Sequence, residues 1–174
     1  MPILFPTIIP VLGGIGLLIL FYVFITIKNK KKAYTNLHQK LLTFTDKVEV
    51  VSNNPAFDFK MDYNNKLFLI KLIYNPSCYE ININAKHYWQ MNEGVVSSRK
   101  KGEQMKGVYD LTFFDLKANN YPIDTVKLYV IYPDSTRLMK VINECEMVMI
   151  DPSVDIYGCR VERYKKLDEN INKF

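Results

Sequence analysis

A mixed α/β domain carried behind a single membrane-spanning helix is the fold class the sequence predicts, and three observations predict it. Residues Pro2 to Ile27 carry no charged side chain, and Lys28-Asn29-Lys30-Lys31-Lys32 closes that run at once. The 142 residues left of the 174 after Lys32 alternate β-rich runs with helix-like spacings. Among them, a strand–helix–strand order at Val126 to Ile150 implies a parallel pair with a crossover, and the hairpin before it is antiparallel. The sheet is therefore expected to be mixed, with helices flanking it.

The first element is the apolar run. Pro10 to Ile27 is 18 residues, about 27 Å of helix, against a hydrocarbon core of about 30 Å; a start near Pro6 leaves room for tilt. Pro6 and Pro10 stand near its beginning, where a missing N–H costs least. Gly13, Gly14 and Gly16 are common residues in membrane spans, and the Gly13/Gly16 spacing would let a second helix approach closely. A secretory leader would place its basic residues before the apolar run and a small-residue cleavage site after it; here the lysines come after and no such site appears.

The lysines also give orientation. Lys28, Lys30, Lys31 and Lys32 come after the span and no Lys or Arg precedes it, so the expected topology has Met1 outside and the chain from Ala33 in the cytoplasm. Cys78, Cys145 and Cys159, odd in number and widely spaced, fit a reducing compartment. The same four lysines account for most of the net charge. Lys plus Arg number 23 against 18 Asp plus Glu, a net of +5; without the four lysines the balance is 19 against 18. A nearly neutral domain argues against an extended nucleic-acid surface. The predicted organisation is an anchor over 1–32, a cytoplasmic α/β domain over 33–164 and a charged, frayed tail over 165–174.

After the anchor, Leu37, Leu41 and Phe44 are spaced as one face of a short helix. Lys47 to Ser52 alternates as a half-buried strand and ends at Asn53-Asn54-Pro55. Phe57, Phe59, Met61 and Tyr63 alternate with Asp58, Lys60 and Asp62 in the next strand. Asn64-Asn65 suits a tight turn, because Asn tolerates positive φ. Lys66 to Tyr74 is a nearly continuous apolar run, as expected of a strand covered on both faces. Tyr79 to Ile83 reads as a short strand, and Asn84 as the N-cap of a helix holding Tyr88, Trp89 and Met91. Ser97 to Gly107 is polar and loop-like, Val108 to Leu116 returns to strand character, and Thr125 to Tyr132 is a strand stopped by Pro133. Ser135 then caps a predicted helix reaching Glu146, which buries Leu138, Met139 and Ile142. Met147 to Ile150 is a short buried strand, and Gly158 to Tyr164 an edge strand.

That order, with Asp58 or Asp62 on one strand and Lys71 on the next, resembles the restriction-endonuclease-like PD-(D/E)xK nuclease superfamily over roughly Leu37 to Ile150. The resemblance implies that Asp58 matches the first metal-binding carboxylate and Lys71 the catalytic lysine. Leu69 falls where a second acid belongs, and a leucine supplies no oxygen to a hard Mg²⁺ ion. On that account the resemblance implies a catalytically degenerate member that needs no cofactor. The alternative is an active Mg²⁺-dependent nuclease in which Asp62 and Glu80 join Asp58 at the metal. The bland reading of Asp58 and Lys71 is that both are polar positions of alternating strands.

Other motifs are weaker. His38 and His87 lack cysteine or acid neighbours at metal spacing. Glu144 and Glu146 should keep the Cys145 thiol unreactive. No glycine-rich phosphate loop and no Gly-x-Ser-x-Gly is present. Arg99, Lys100, Lys101 and Lys106 form the one basic cluster outside the anchor. It could touch nucleic acid or anionic lipid, but a short solvated loop gives modest, salt-sensitive binding. The sequence thus favours a membrane-held module for an unidentified protein partner. A metal-dependent nuclease and a small structural subunit of a membrane complex are the alternatives.

Overall fold

The computed structural model describes residues 5–51, 56–74, 76, 78–86, 88–93, 106–108, 121–122, 124–135, 137–143 and 146–174; side chains of 5–14, 78–79, 92–93 and 106–108 lie outside that description. The chain divides into two compact units, Met1–Asn36 and Leu37–Phe174.

Helix α1, Phe5–Leu42, runs without a break from the apolar segment through the lysines and across the unit boundary. In the first unit, the large apolar side chains from Ile15 to Ile27 are all solvent-exposed, including Leu17 and Leu18 at 70%, Tyr22 at 72% and Phe24 at 64%. Thr26 Oγ1 donates to the Tyr22 carbonyl one turn back at 2.9 Å, so its hydroxyl needs no water. Among the described residues, no helix is long and apolar enough to cross a membrane. The described side chains of the apolar run begin at Ile15, and Ile15 to Ile27 covers only about 20 Å of helix. The rest of the predicted span, 10–14, lies outside the described side chains.

The second unit contains β1 (Val48–Val50), β2 (Phe59–Tyr63), β3 (Lys66–Tyr74), β4 (Cys78–Ala85), β5 (Tyr88–Glu93), β6 (Lys106–Val108), β7 (Thr125–Tyr132), β8 (Arg137–Asn143), β9 (Glu146–Met149) and β10 (Arg160–Arg163), then a short helix α2 (Leu167–Asn170). They make two mixed sheets, ordered β1-β2-β3-β7-β10 (sheet A) and β6-β5-β4-β8-β9 (sheet B). The β2–β3 hairpin forms as the sequence predicts, with Asn64 and Asn65 at φ 50° and 61° in its turn. That places both residues in the left-handed region that two-residue hairpin turns require.

Two predicted helices are strands, and the flanking-helix layout is corrected accordingly. Tyr88, Trp89 and Met91 lie on β5, antiparallel to β4, and Asn84 belongs to β4. Leu138, Met139 and Ile142 lie on β8, antiparallel to β9. Both segments carry apolar residues at spacings a helix and a strand can share, and cross-strand pairing decides between them. The parallel partners of β7 are β3 and β10, and β9 lies in the other sheet. β3 to β7 and β7 to β10 are therefore joined through strands of sheet B, and among the described residues of these connections there is no crossover helix. Of the strand predicted at Val108 to Leu116, β6 ends at Val108 and 109–116 lie outside the described residues.

Alternation along β3 shows where the core sits. Leu69 and Ile73 join Tyr129, Ile131 and Val161 on one face of sheet A, packed with Ile81, Ile83, Trp89, Met91 and Leu138 of sheet B. Trp89 meets Tyr129 edge to face at 5.1 Å between ring centroids. On the opposite face Phe59, Met61, Phe68, Ile70, Leu72, Leu128 and Val130 are also buried. That face meets the end of α1, where His38 stacks on Phe59 at 6.0 Å. The C-terminal segment completes this side: Leu167, Ile171 and Phe174 are buried, so residues 165–174 are a docked strap and not a frayed tail. Its apolar residues recur at intervals of three and four, which lets one face of successive turns cover the sheet.

Candidate functional site

Asp58 and Lys71 are brought together. Asp58 stands just before β2, and its backbone extends the ladder on both sides: its N–H donates to the Ile70 carbonyl at 2.8 Å and its carbonyl accepts from the Val51 N–H at 2.9 Å. Its carboxylate turns toward β3. Oδ2 accepts from the Leu72 N–H at 2.8 Å, and Oδ1 lies 3.7 Å from Lys71 Nζ. Both side chains are close to buried, at 12% and 11% exposure. The cost of burying a carboxylate is offset by hydrogen bonds and a cation, and here the backbone and Lys71 supply them. Leu69, at the position of the absent acid, is fully buried in the core between the sheets.

The other predicted metal ligands lie elsewhere. Asp62 is exposed on β2 and borders an open cavity of about 730 Å³ with Phe44, Lys47, Tyr63, Lys66 and Asp124. Glu80 belongs to β4 in sheet B, where Oε1 accepts from Asn82 Nδ2 at 3.0 Å and Oε2 lies 3.9 Å from Arg137 Nη1. Among the described residues, no three His, Cys, Asp or Glu side chains cluster closely enough to hold a metal ion. The arrangement around Asp58 can tie β1, β2 and β3 together; among the described residues it offers a single carboxylate.

Of the basic cluster, Arg99, Lys100 and Lys101 lie outside the described residues, and Lys106 opens β6 opposite Met91. His87, Glu144 and Cys145 lie outside them as well. Lys28, Lys30, Lys31 and Lys32 are exposed along α1.

Sequence reasoning missed two features. The first is the fastening of the strap. Lys40 Nζ donates to the Tyr164 carbonyl at 2.7 Å, pairs with Asp168 Oδ2 at 2.7 Å and sits 4.5 Å from the Tyr164 ring centroid. Buried Glu162 accepts from Asn170 Nδ2 at 2.6 Å. Burial first, then Tyr132, Asp168 and Asp134, raise the Tyr164 phenol above its ordinary pKa. Asn and Lys at the end of a chain give no signal of such contacts until the partner strands are placed. The second feature is Cys159, whose thiol burial pushes up from 9.0 to about 12. Alternation with Val161 on an edge strand is the one clue the sequence offers to it.

No protein-family model, no curated protein and no solved structure matches the chain.

Proposed function

We propose that the chain is a single-pass membrane protein in which α1 is the anchor and the two-sheet domain is an interaction module held at the cytoplasmic face. The observation that carries this reading is the exposure of every large apolar side chain from Ile15 to Ile27. Nine consecutive positions, Leu17 to Ile25, point in all directions around a helix that turns about 100° per residue. A partner helix or groove would cover one stripe of such a surface; lipid covers all of it. Lys28 to Lys32 then set the orientation by the positive-inside rule.

In the domain, the nuclease-like pair of Asp58 and Lys71 serves the sheet, and catalysis has been lost with the second acid. The surface offered to a partner protein is β9. Among the described residues it is one of the two edge strands of sheet B, with Met147, Val148 and Met149 exposed at 55%, 41% and 66% beside Ile142 at 51%. The strand predicted to be buried here is instead open, and an open apolar edge takes an extended segment by strand addition. Protease added to sealed inside-out membrane vesicles is expected to digest the domain, while right-side-out vesicles protect it. Protection in inside-out vesicles with digestion in right-side-out ones would overturn the assigned orientation.

A further inference from the structure

Helix α1 continues unbroken through the lysine cluster to Leu42, although the cluster opposes helix formation. Lys28 faces Lys31 at i,i+3 and Lys32 at i,i+4, spacings at which like charges repel. The nearest helix end lies ten residues on, so the helix dipole gives them little support. No acid occurs before Asp46, and among the described residues no salt bridge joins any of the four to a carboxylate. Lys40, the next cation, is committed to Asp168. At about 100° per residue, Lys28, Lys30, Lys31 and Lys32 spread over more than half of the circumference. All four are exposed, and the first stands directly after Ile27. Lys30 Nζ lies 6.0 Å from the ring centroid of Tyr34, an amphipathic residue suited to the same boundary.

We infer that these lysines form a collar that binds the headgroups of anionic phospholipids in the adjoining leaflet, and that this binding supplies the counter-charge for an unbroken α1. Position decides the source of the anion. A cluster that begins one residue beyond an apolar surface lies at headgroup depth once that surface is in lipid, and its angular spread fits a ring of lipids better than one face of a nucleic acid. The inference rests on the anchor reading.

Its test uses the full chain reconstituted in bilayers carrying a trace of spin-labelled phosphatidylserine or spin-labelled phosphatidylcholine. Electron paramagnetic resonance gives the motion-restricted fraction of each. Phosphatidylserine is expected to be restricted several-fold more than phosphatidylcholine at low salt. The preference should shrink in about 0.5 M salt, where screening shortens the reach of charge. It should vanish in the variant K28Q/K30Q/K31Q/K32Q and persist when all four are Arg. Equal restriction of the two lipids by the wild type would overturn the collar while leaving the anchor in place. Absence of restricted lipid of either kind would overturn the anchor itself.

Discussion

Two largely apolar runs, Ile15 to Ile27 on α1 and Leu67 to Ile73 on β3, look alike in composition and differ in exposure. β3 is covered on both faces, with Leu69 and Ile73 toward sheet B and Phe68, Ile70 and Leu72 toward the end of α1 and the strap. Its one charged residue, Lys71, has Asp58 beside it. The large apolar side chains of the α1 run are exposed. The contrast teaches that apolarity fixes the need for cover and not its source. A strand among neighbours finds cover in its own domain, whereas the exposed helix takes its cover from outside the domain, which on the proposed reading is lipid.

The largest effects should come from reversing these environments. Leu20→Arg with Phe24→Arg puts two cations on one side of the exposed helix. At about 3 kcal/mol each for central positions, the pair should abolish stable membrane integration, read as the fraction sedimenting with membranes. On the covered side, Trp89→Ala removes a fully buried ring between the sheets. It should cost about 3–5 kcal/mol in urea unfolding monitored by circular dichroism, without changing membrane association.

Asp58→Ala should cost about 3 kcal/mol by the same measurement, because it removes the carboxylate beside the nearly buried Lys71 and leaves the Leu72 N–H without its acceptor. In Mg²⁺ or Mn²⁺ the wild type and this variant should be equally without nuclease activity. Activity in the wild type that disappears in the variant would restore the enzymatic reading.

The β2–β3 hairpin and β7 are legible in the sequence because their patterns are local: alternation, an Asn-Asn turn, a Pro stop. β5 and β8 mimic helices because Tyr88-Trp89 with Met91, and Leu138-Met139 with Ile142, satisfy a helical spacing over so few residues. Only pairing with β4 excludes it. The Asp58–Lys71 pair is legible from adjacent strands in register. The remoteness of Glu80 is not, because it depends on β4 leaving sheet A for sheet B, which no local pattern encodes.

A smaller effect tests the strap. Lys40→Met keeps the apolar stem but loses the bonds to Tyr164 and Asp168, and should cost about 1 kcal/mol given the exposure of Asp168. Hydrogen exchange should rise first over Tyr164 to Phe174.

The smallest effect at neutral pH belongs to Cys159. Its folded pKa, about 12, lies above the ordinary 9.0, so the fold favours the protonated thiol. The resulting stability is complete below pH 9 and is lost as pH rises from about 9 to 12. Iodoacetamide at pH 8 should leave Cys159 unmodified until the domain unfolds, as peptide mapping would show.

The difference between the two apolar runs is tested most directly by alkaline carbonate extraction of membranes carrying the full chain. Carbonate at about pH 11 strips proteins held by charge or by a soluble partner and leaves those embedded in hydrocarbon. If lipid covers Ile15 to Ile27, the chain stays in the pellet and is released only by detergent. Release into the carbonate supernatant would contradict the anchor.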